Sequence, residues 1–113
     1  MNLDGRVMYV ISTAEQGVVS SDTRLYFHQM GSRVFGRYRG GPVSRGYLVG
    51  ELRGARLTFR YTQVEGSGQI HGGSSVCDLT VQPEGRLRIS EHFRWRTRPG
   101  FGTNVFDEIV IPS

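Results

Sequence analysis

In the stretch GRLRISEHFRWRT, residues 85–97, apolar and polar side chains alternate with a period of two, and Glu91 falls on the apolar face between Ile89 and Phe93. A carboxylate aimed into an apolar interior is costly unless it is protonated, hydrogen-bonded or paired. Two chemistries follow. As a polar group in a largely apolar pocket, Glu91 would hold a small, partly apolar ligand, with Tyr38, Tyr61, Gln63, Gln29, His71, Glu108 and Trp95 as further contacts. As half of an acid/base pair with Glu108 or His71, it would transfer protons, because two titratable groups in one pocket push their pKa values apart. The pairing requires both groups to face one cavity. The non-catalytic binder is the leading reading.

The elements that must position these residues are strands. Period-2 alternation recurs along the chain, and no segment of helical length shows a 3.6-residue period. Strands are predicted at 5–14, 21–30, 32–40, 43–53, 55–64, 69–80, 85–97 and 102–111, separated by turn signals such as MGS, GGP, EGSG and PEG. Short connections require antiparallel neighbours, and no helix is available to cover an apolar sheet face. The expectation is therefore all-β: one up-and-down antiparallel barrel of about eight strands, able to enclose side chains or one small ligand. A two-sheet sandwich is the alternative, and the local connections favour the barrel.

With the apolar faces turned inward, alternation assigns Thr23, Leu25, Phe27 and Gln29 to the interior from the second strand, and Val34, Gly36 and Tyr38 from the third. The fourth offers Gly46, Leu48, Gly50 and Leu52, the fifth Leu57, Phe59, Tyr61 and Gln63, and the seventh Leu87, Ile89, Glu91, Phe93 and Trp95. For the sixth, His71, Gly73, Ser75 and Cys77 are taken as inward. The eighth is open between Phe106, Glu108, Val110 and Val105, Asp107, Ile109. Tyr and Gln on facing strands are the expected partners of Glu91. Glycines inside the strands are expected to mark bulges, sharp coiling, or close approach of another backbone or ligand.

Bulk properties narrow the classes. At 113 residues the chain is expected to form one domain, 1–113. The formal charge is +4, and all 14 basic residues are Arg. Guanidinium groups suit carboxylate or phosphate recognition, yet the 10 acids are interspersed among them, which argues against a nucleic-acid surface. A homodimer, or an acidic partner meeting the Arg-rich outer faces of the third and seventh strands, is a third reading. One cysteine, Cys77, allows no internal disulfide, and no Cys/His pair has metal-ligand spacing, so neither metal nor cofactor is expected. With no signal peptide and no 18-residue apolar run, a cytoplasmic protein without a membrane partner is expected.

The segments VSSDT, YFHQMG, VFGRYRGG, RGYLVGEL, RYTQV, GRLRISEHFRW and GTNVFDEI resemble a family of small bacterial all-β proteins of about this length, often labelled n-acetylglutamate synthase. The family pattern keeps Tyr38, Gly40, Gly41, Tyr61, Glu91, Trp95 and Glu108, and this chain has Phe93 where a second Trp is common. No helix is expected here to offer the pyrophosphate-binding glycine loop of an acetyl-CoA-dependent transferase. At superfamily level the meander is similar to the calycins, which include lipocalins, fatty-acid-binding proteins and avidins. VFGRYRGG locally resembles an avidin strand whose Tyr touches the ligand; that resemblance implies a ligand contact for Tyr38 and extends to no other residue.

Overall fold

The computed structural model describes residues 1–110, and every regular element in it is a strand. These are β1 (Val7–Ser12), β2 (Arg24–Met30), β3 (Arg33–Gly40), β4 (Val43–Arg53), β5 (Arg56–Glu65), β6 (Ile70–Val81), β7 (Leu87–Trp95) and β8 (Phe101–Glu108). Each strand pairs antiparallel with the next, and β8 pairs back onto β1, so the sheet closes into a barrel in simple chain order. Closure removes both sheet edges, the liability an open eight-stranded sheet would carry. The barrel, not the sandwich, is thus the architecture. Ile111, expected in the last strand, lies outside the described residues.

Alternation sorts the interior as read. Leu25, Phe27, Val34, Tyr38, Leu48, Leu57, Phe59, Tyr61, Leu87, Ile89, Phe93 and Trp95 form one buried cluster. On β8 the frame containing Asn104, Phe106 and Glu108 faces inward, because Asn104 bonds Glu91 in the interior while Asp107 on the other frame pairs with Arg88 outside. β2 begins at Arg24 rather than at residue 21. Residues 20–23 instead make a turn, in which the Thr23 N–H donates to the Ser20 carbonyl and the Thr23 hydroxyl to the Gly40 carbonyl.

The strand glycines have a more specific role than bulge or ligand approach. Gly46 stands directly across from Tyr38, Gly50 from Phe59, Gly73 from Tyr61 and Trp95, Gly36 from Leu48 and Gly102 from Phe93. A Cβ added at Gly46 would overlap the Tyr38 ring, and one at Gly73 would overlap the Tyr61 phenol. The register shifts fall between Val10 and Ser12, Tyr38 and Gly40, and Val43 and Arg45, so among the strand glycines the expected bulge is found at Gly40. Gly40 is the one of these that needs glycine itself: its φ is 121°, and a Cβ there would collide with the Asp22 carbonyl.

The two ends of the barrel differ. At the lower end the N-terminal segment crosses the opening, with Leu3 fully buried and its N–H bonded to Gln29 Oε1 at 2.8 Å. At the upper end the long β1–β2 connection, residues 13–23, folds over the mouth.

Gly46→Ala is expected to destabilise the protein by about 1–3 kcal/mol, the usual cost of overpacking, measured by urea unfolding. Gly66 lies in a turn with only the Pro42 carbonyl near, at 3.9 Å. Gly66→Ala should change stability by no more than about 0.5 kcal/mol; equal losses at both positions would reject the space argument.

Candidate functional site

Glu91 sits mid-way along β7, where register places Cys77 of β6 on one side and Asn104 of β8 on the other. Its carboxylate is 7% exposed and accepts two hydrogen bonds: Ser75 Oγ to Oε2 at 2.6 Å, and Asn104 Nδ2 to Oε1 at 3.0 Å. The partners are thus a serine and an asparagine on the two flanking strands, not the Tyr and Gln expected. Burial pushes the Glu91 pKa up, and the bonds from Ser75 and Asn104 offset part of that rise. No cation forms an ion pair with it among the described residues.

Above Glu91 the wall is aromatic. Tyr61 packs edge-on against Trp95 at 5.4 Å between centroids, and Phe93 against Trp95 at 6.1 Å. The Tyr38 hydroxyl donates to Gln63 Oε1 at 2.8 Å, and Gln63 Nε2 donates to Glu65 Oε2 at 2.9 Å. Arg98 reaches the same Glu65 oxygen at 2.6 Å while lying 4.6 Å over the Trp95 ring. The rim therefore runs as one connected chain from Tyr38 to Trp95. Burial works to raise the Glu65 pKa, but the bonds from Arg98 and Gln63 outweigh it and hold the carboxyl below its ordinary value. Tyr38 and Tyr61 are pushed far above the usual phenol range, first by burial and then by the Glu91 charge, so both hydroxyls stay protonated.

These residues line a partly open cavity of about 30 Å³, space for roughly two waters. Tyr38, Phe59, Tyr61, Gln63, Glu91 and Trp95 line it from the wall, and Gly17, Val18 and Val19 close it from above. The Tyr61 hydroxyl is buried and, among the described residues, is the one buried side-chain polar atom with no hydrogen-bond partner.

Besides the Thr23–Gly40 bond at its far end, the closing loop is fastened at two places. Trp95 Nε1 donates to the Gln16 carbonyl at 2.9 Å, and Gln16 Oε1 accepts from the Phe101 N–H at 3.0 Å. At the other fastening, Asn104 Oδ1 accepts from the Thr13 hydroxyl at 2.9 Å and the Ala14 N–H at 3.2 Å. Asn104 thus joins the loop to Glu91.

Of the residues singled out in the sequence, Glu91, Tyr38, Tyr61, Gln63 and Trp95 meet at this cavity. Gln29 does not: it is at the lower end, its amide spent on Leu3 and Gly31. Glu108 lies four residues beyond Asn104 on β8, roughly 13 Å along the strand. There its carboxylate accepts from Arg6 at 2.7 Å and from the Leu87 N–H at 3.0 Å. His71 stands on the upper rim, bonded to Thr97 at 2.7 Å and to Gln69 at 3.3 Å. The Glu91–Glu108 and Glu91–His71 acid/base pairs are therefore not assembled. Sequence reasoning missed Asn104 and the closing loop, and it placed Ser75 inward without giving it a role. Among the described residues no group of three His, Cys, Asp or Glu side chains could hold a metal, and no helix is long and apolar enough to cross a membrane.

A family model described as Avidin-like protein matches residues 1–109. Neither the curated proteins nor the solved structures yield a match.

The raised pKa of Glu91 has a definite sign. A group whose pKa is higher in the fold contributes most to stability below its unfolded value, and that contribution fades as pH rises through the folded value. Glu91→Gln keeps an acceptor for Asn104 and removes the charge. Its stability relative to wild type, from urea unfolding, is expected to improve as pH rises above the ordinary carboxyl value of about 4; a difference that does not change with pH would show that Glu91 titrates alike folded and unfolded.

Proposed function

The chain belongs to the avidin-like protein family, and we propose that it binds a small, partly apolar molecule in the upper half of the barrel without catalysing a reaction on it. The observation that carries this reading is the Tyr61 hydroxyl, buried against the cavity with no partner beside the buried carboxylate of Glu91. Leaving a buried hydroxyl unpaired costs about 1–3 kcal/mol, and a ligand acceptor seated there would recover it. The surrounding aromatic wall supplies apolar contact, while Glu91, Tyr38 and Gln63 supply a few convergent polar groups, the usual composition of a small-molecule site.

A ligand larger than two waters enters by lifting residues 13–23. Few bonds hold that loop, and Val18 and Val19 are the side chains it withdraws. The binding energy then offsets the cost of opening, so affinity depends on what the ligand restores to Tyr61 and to the emptied apolar wall. The same reading keeps the protein in the cytoplasm, where Cys77, buried and unpaired, needs no oxidised partner.

Thermal-shift screening of small, partly apolar compounds tests the proposal through ligand-dependent stabilisation. Tyr61→Phe removes the unpaired hydroxyl, so the ligand-free variant should be at least as stable as wild type while losing about fivefold or more in affinity for each hit. Glu91→Ala should abolish the shift and the outward Arg94→Ala should preserve it. Hits that stabilise Tyr61→Phe and Glu91→Ala as well as wild type would place binding elsewhere and overturn the reading.

A further inference from the structure

The 14 arginines divide, among the described residues, into six that pair with an acid and eight that do not. Arg6, Arg53, Arg56, Arg86, Arg88 and Arg98 each form an ion pair with an Asp or Glu. Of the eight, Arg94 lies over Phe101 and Arg96 follows it at the end of β7, Arg24 lies over Tyr9, and the other five, Arg33, Arg37, Arg39, Arg45 and Arg60, all project from the exposed outer face of β3, β4 and β5. The acid opposite Arg33 across the β3–β4 pair, Glu51, is already engaged by Arg53 at 3.0 Å. Asp22 lies at the turn before β2, beside Gly41, and Asp4 lies by His28 near the far end of β2. Interspersion along the sequence therefore conceals a surface on which arginines outnumber the acids, which lie towards its margins.

Aromatic rings are interleaved with these cations. Register sets Tyr26, Arg37 and Tyr47 in one row across β2, β3 and β4. The Arg37 guanidinium lies 5.2 Å from the centroid of Tyr26, and Tyr47 is 53% exposed. Arg39 and Arg45 flank this row, and together the five side chains line a solvent-open groove of about 330 Å³. From Arg33 to Arg39 the cations extend roughly 20 Å along β3. They form a track rather than a point.

We propose that the outer face of β2, β3 and β4 binds single-stranded nucleic acid, with phosphates on Arg37, Arg39 and Arg45 and a base stacked on Tyr47. Guanidinium forks suit phosphate oxygens, and an exposed ring offers a platform to any base. A second copy of the chain docked face to face by this surface would set arginine against arginine. A rigid duplex would touch the convex barrel wall along a narrow line, whereas a flexible strand can follow it. An acidic peptide would satisfy the arginines and leave the Tyr47 face without a planar partner.

The test is fluorescence anisotropy with a labelled oligothymidylate of about 12 nucleotides, titrated from about 50 to about 300 mM salt. Three phosphate contacts predict log–log salt dependence with a slope near about −2. Arg37→Gln and Arg45→Gln should each make the slope shallower by about 0.7. Tyr47→Ala should weaken binding about fivefold or more at unchanged slope, and Arg86→Gln, on the lower loop, should change neither. All four positions are at the surface, so unchanged melting temperatures are expected to accompany these effects. The proposal is overturned by any of four results: no binding at low salt; polyglutamate competing as well as the oligonucleotide while Tyr47→Ala is silent; a duplex of equal length binding more tightly; or Arg86→Gln weakening binding as much as Arg37→Gln.

Discussion

The width of an eight-stranded barrel governs the rest of this structure. Such a barrel is only wide enough for its inward side chains to meet, so two aromatic rings do not stand side by side on adjacent strands at one level. The chain resolves this by setting non-aromatic residues, most often glycine or serine, beside each ring in a hydrogen-bonded row. One row reads Phe27, Gly36, Leu48, Tyr61, Gly73, Trp95, and the next reads Gly50, Phe59, Ser75, Phe93, Gly102. The glycines in these rows give up packing of their own so that a neighbour's side chain can lie over them, Leu48 over Gly36 and a ring over Gly73. The position of the Tyr61 hydroxyl above Gly73 follows directly, and so does the reach of Glu91 to Ser75, the small residue between Phe59 and Phe93.

The spacing of the rings also explains why the polar groups gather in the upper half. The lower half is filled by Leu57, Leu87, Ile89 and Met8, all at most 2% exposed, and sealed by Leu3. Above it, Asn104, Thr23 and Gly17 leave space that the aromatic wall does not fill, and a carboxylate can be buried there only because two donors, on Ser75 and Asn104, meet it. Asn104 is the hinge of this arrangement. Its amide nitrogen serves Glu91 while its oxygen holds Thr13 and Ala14, so a change at the carboxylate and a movement of the closing loop both act on one side chain. Trp95 forms the second link, bonded to the loop through Nε1 and stacked under Arg98, which draws in Glu65, Gln63 and Tyr38.

The barrel was legible in the sequence because period-2 alternation is a local signal and closure follows from the lack of any covering helix. Glu91 was legible for the same reason: one charged residue in an apolar frame. Its partners were not, because they depend on register between strands. The β7–β8 connection runs from residue 96 to 100, and only its folded geometry sets Asn104, rather than Glu108, opposite Glu91. Strand β8 also carries buried residues on both frames, Phe106 inward and Asp107 against Arg88, which blurs the alternation that would have chosen between them. The closing loop escaped for a different reason. Residues 15–20 fall between the first two predicted strands and start with a turn signal, and nothing local records that the Gln16 carbonyl will meet an indole N–H from residue 95.

The same alternation gives the barrel two surfaces that answer to different constraints. Inward positions are held by volume: exchanging Gly46 or Ser75 alters a row that must still close. Outward positions feel no such limit, and charge there is sorted by cross-strand neighbours instead. Arg88 finds Asp107 directly opposite it across β7–β8, while Arg37 finds Tyr26 and Tyr47. A chain with arginines and acids mixed evenly in sequence can thus carry neutralised charge on one side and concentrated cation on another. Even mixing in sequence argues against a charged surface only for a helix or a disordered segment, where sequence neighbours are also spatial neighbours. In a closed antiparallel barrel the relevant neighbours are two residues along a strand and one strand across, so it is the register, and not the run of letters, that decides where charge accumulates.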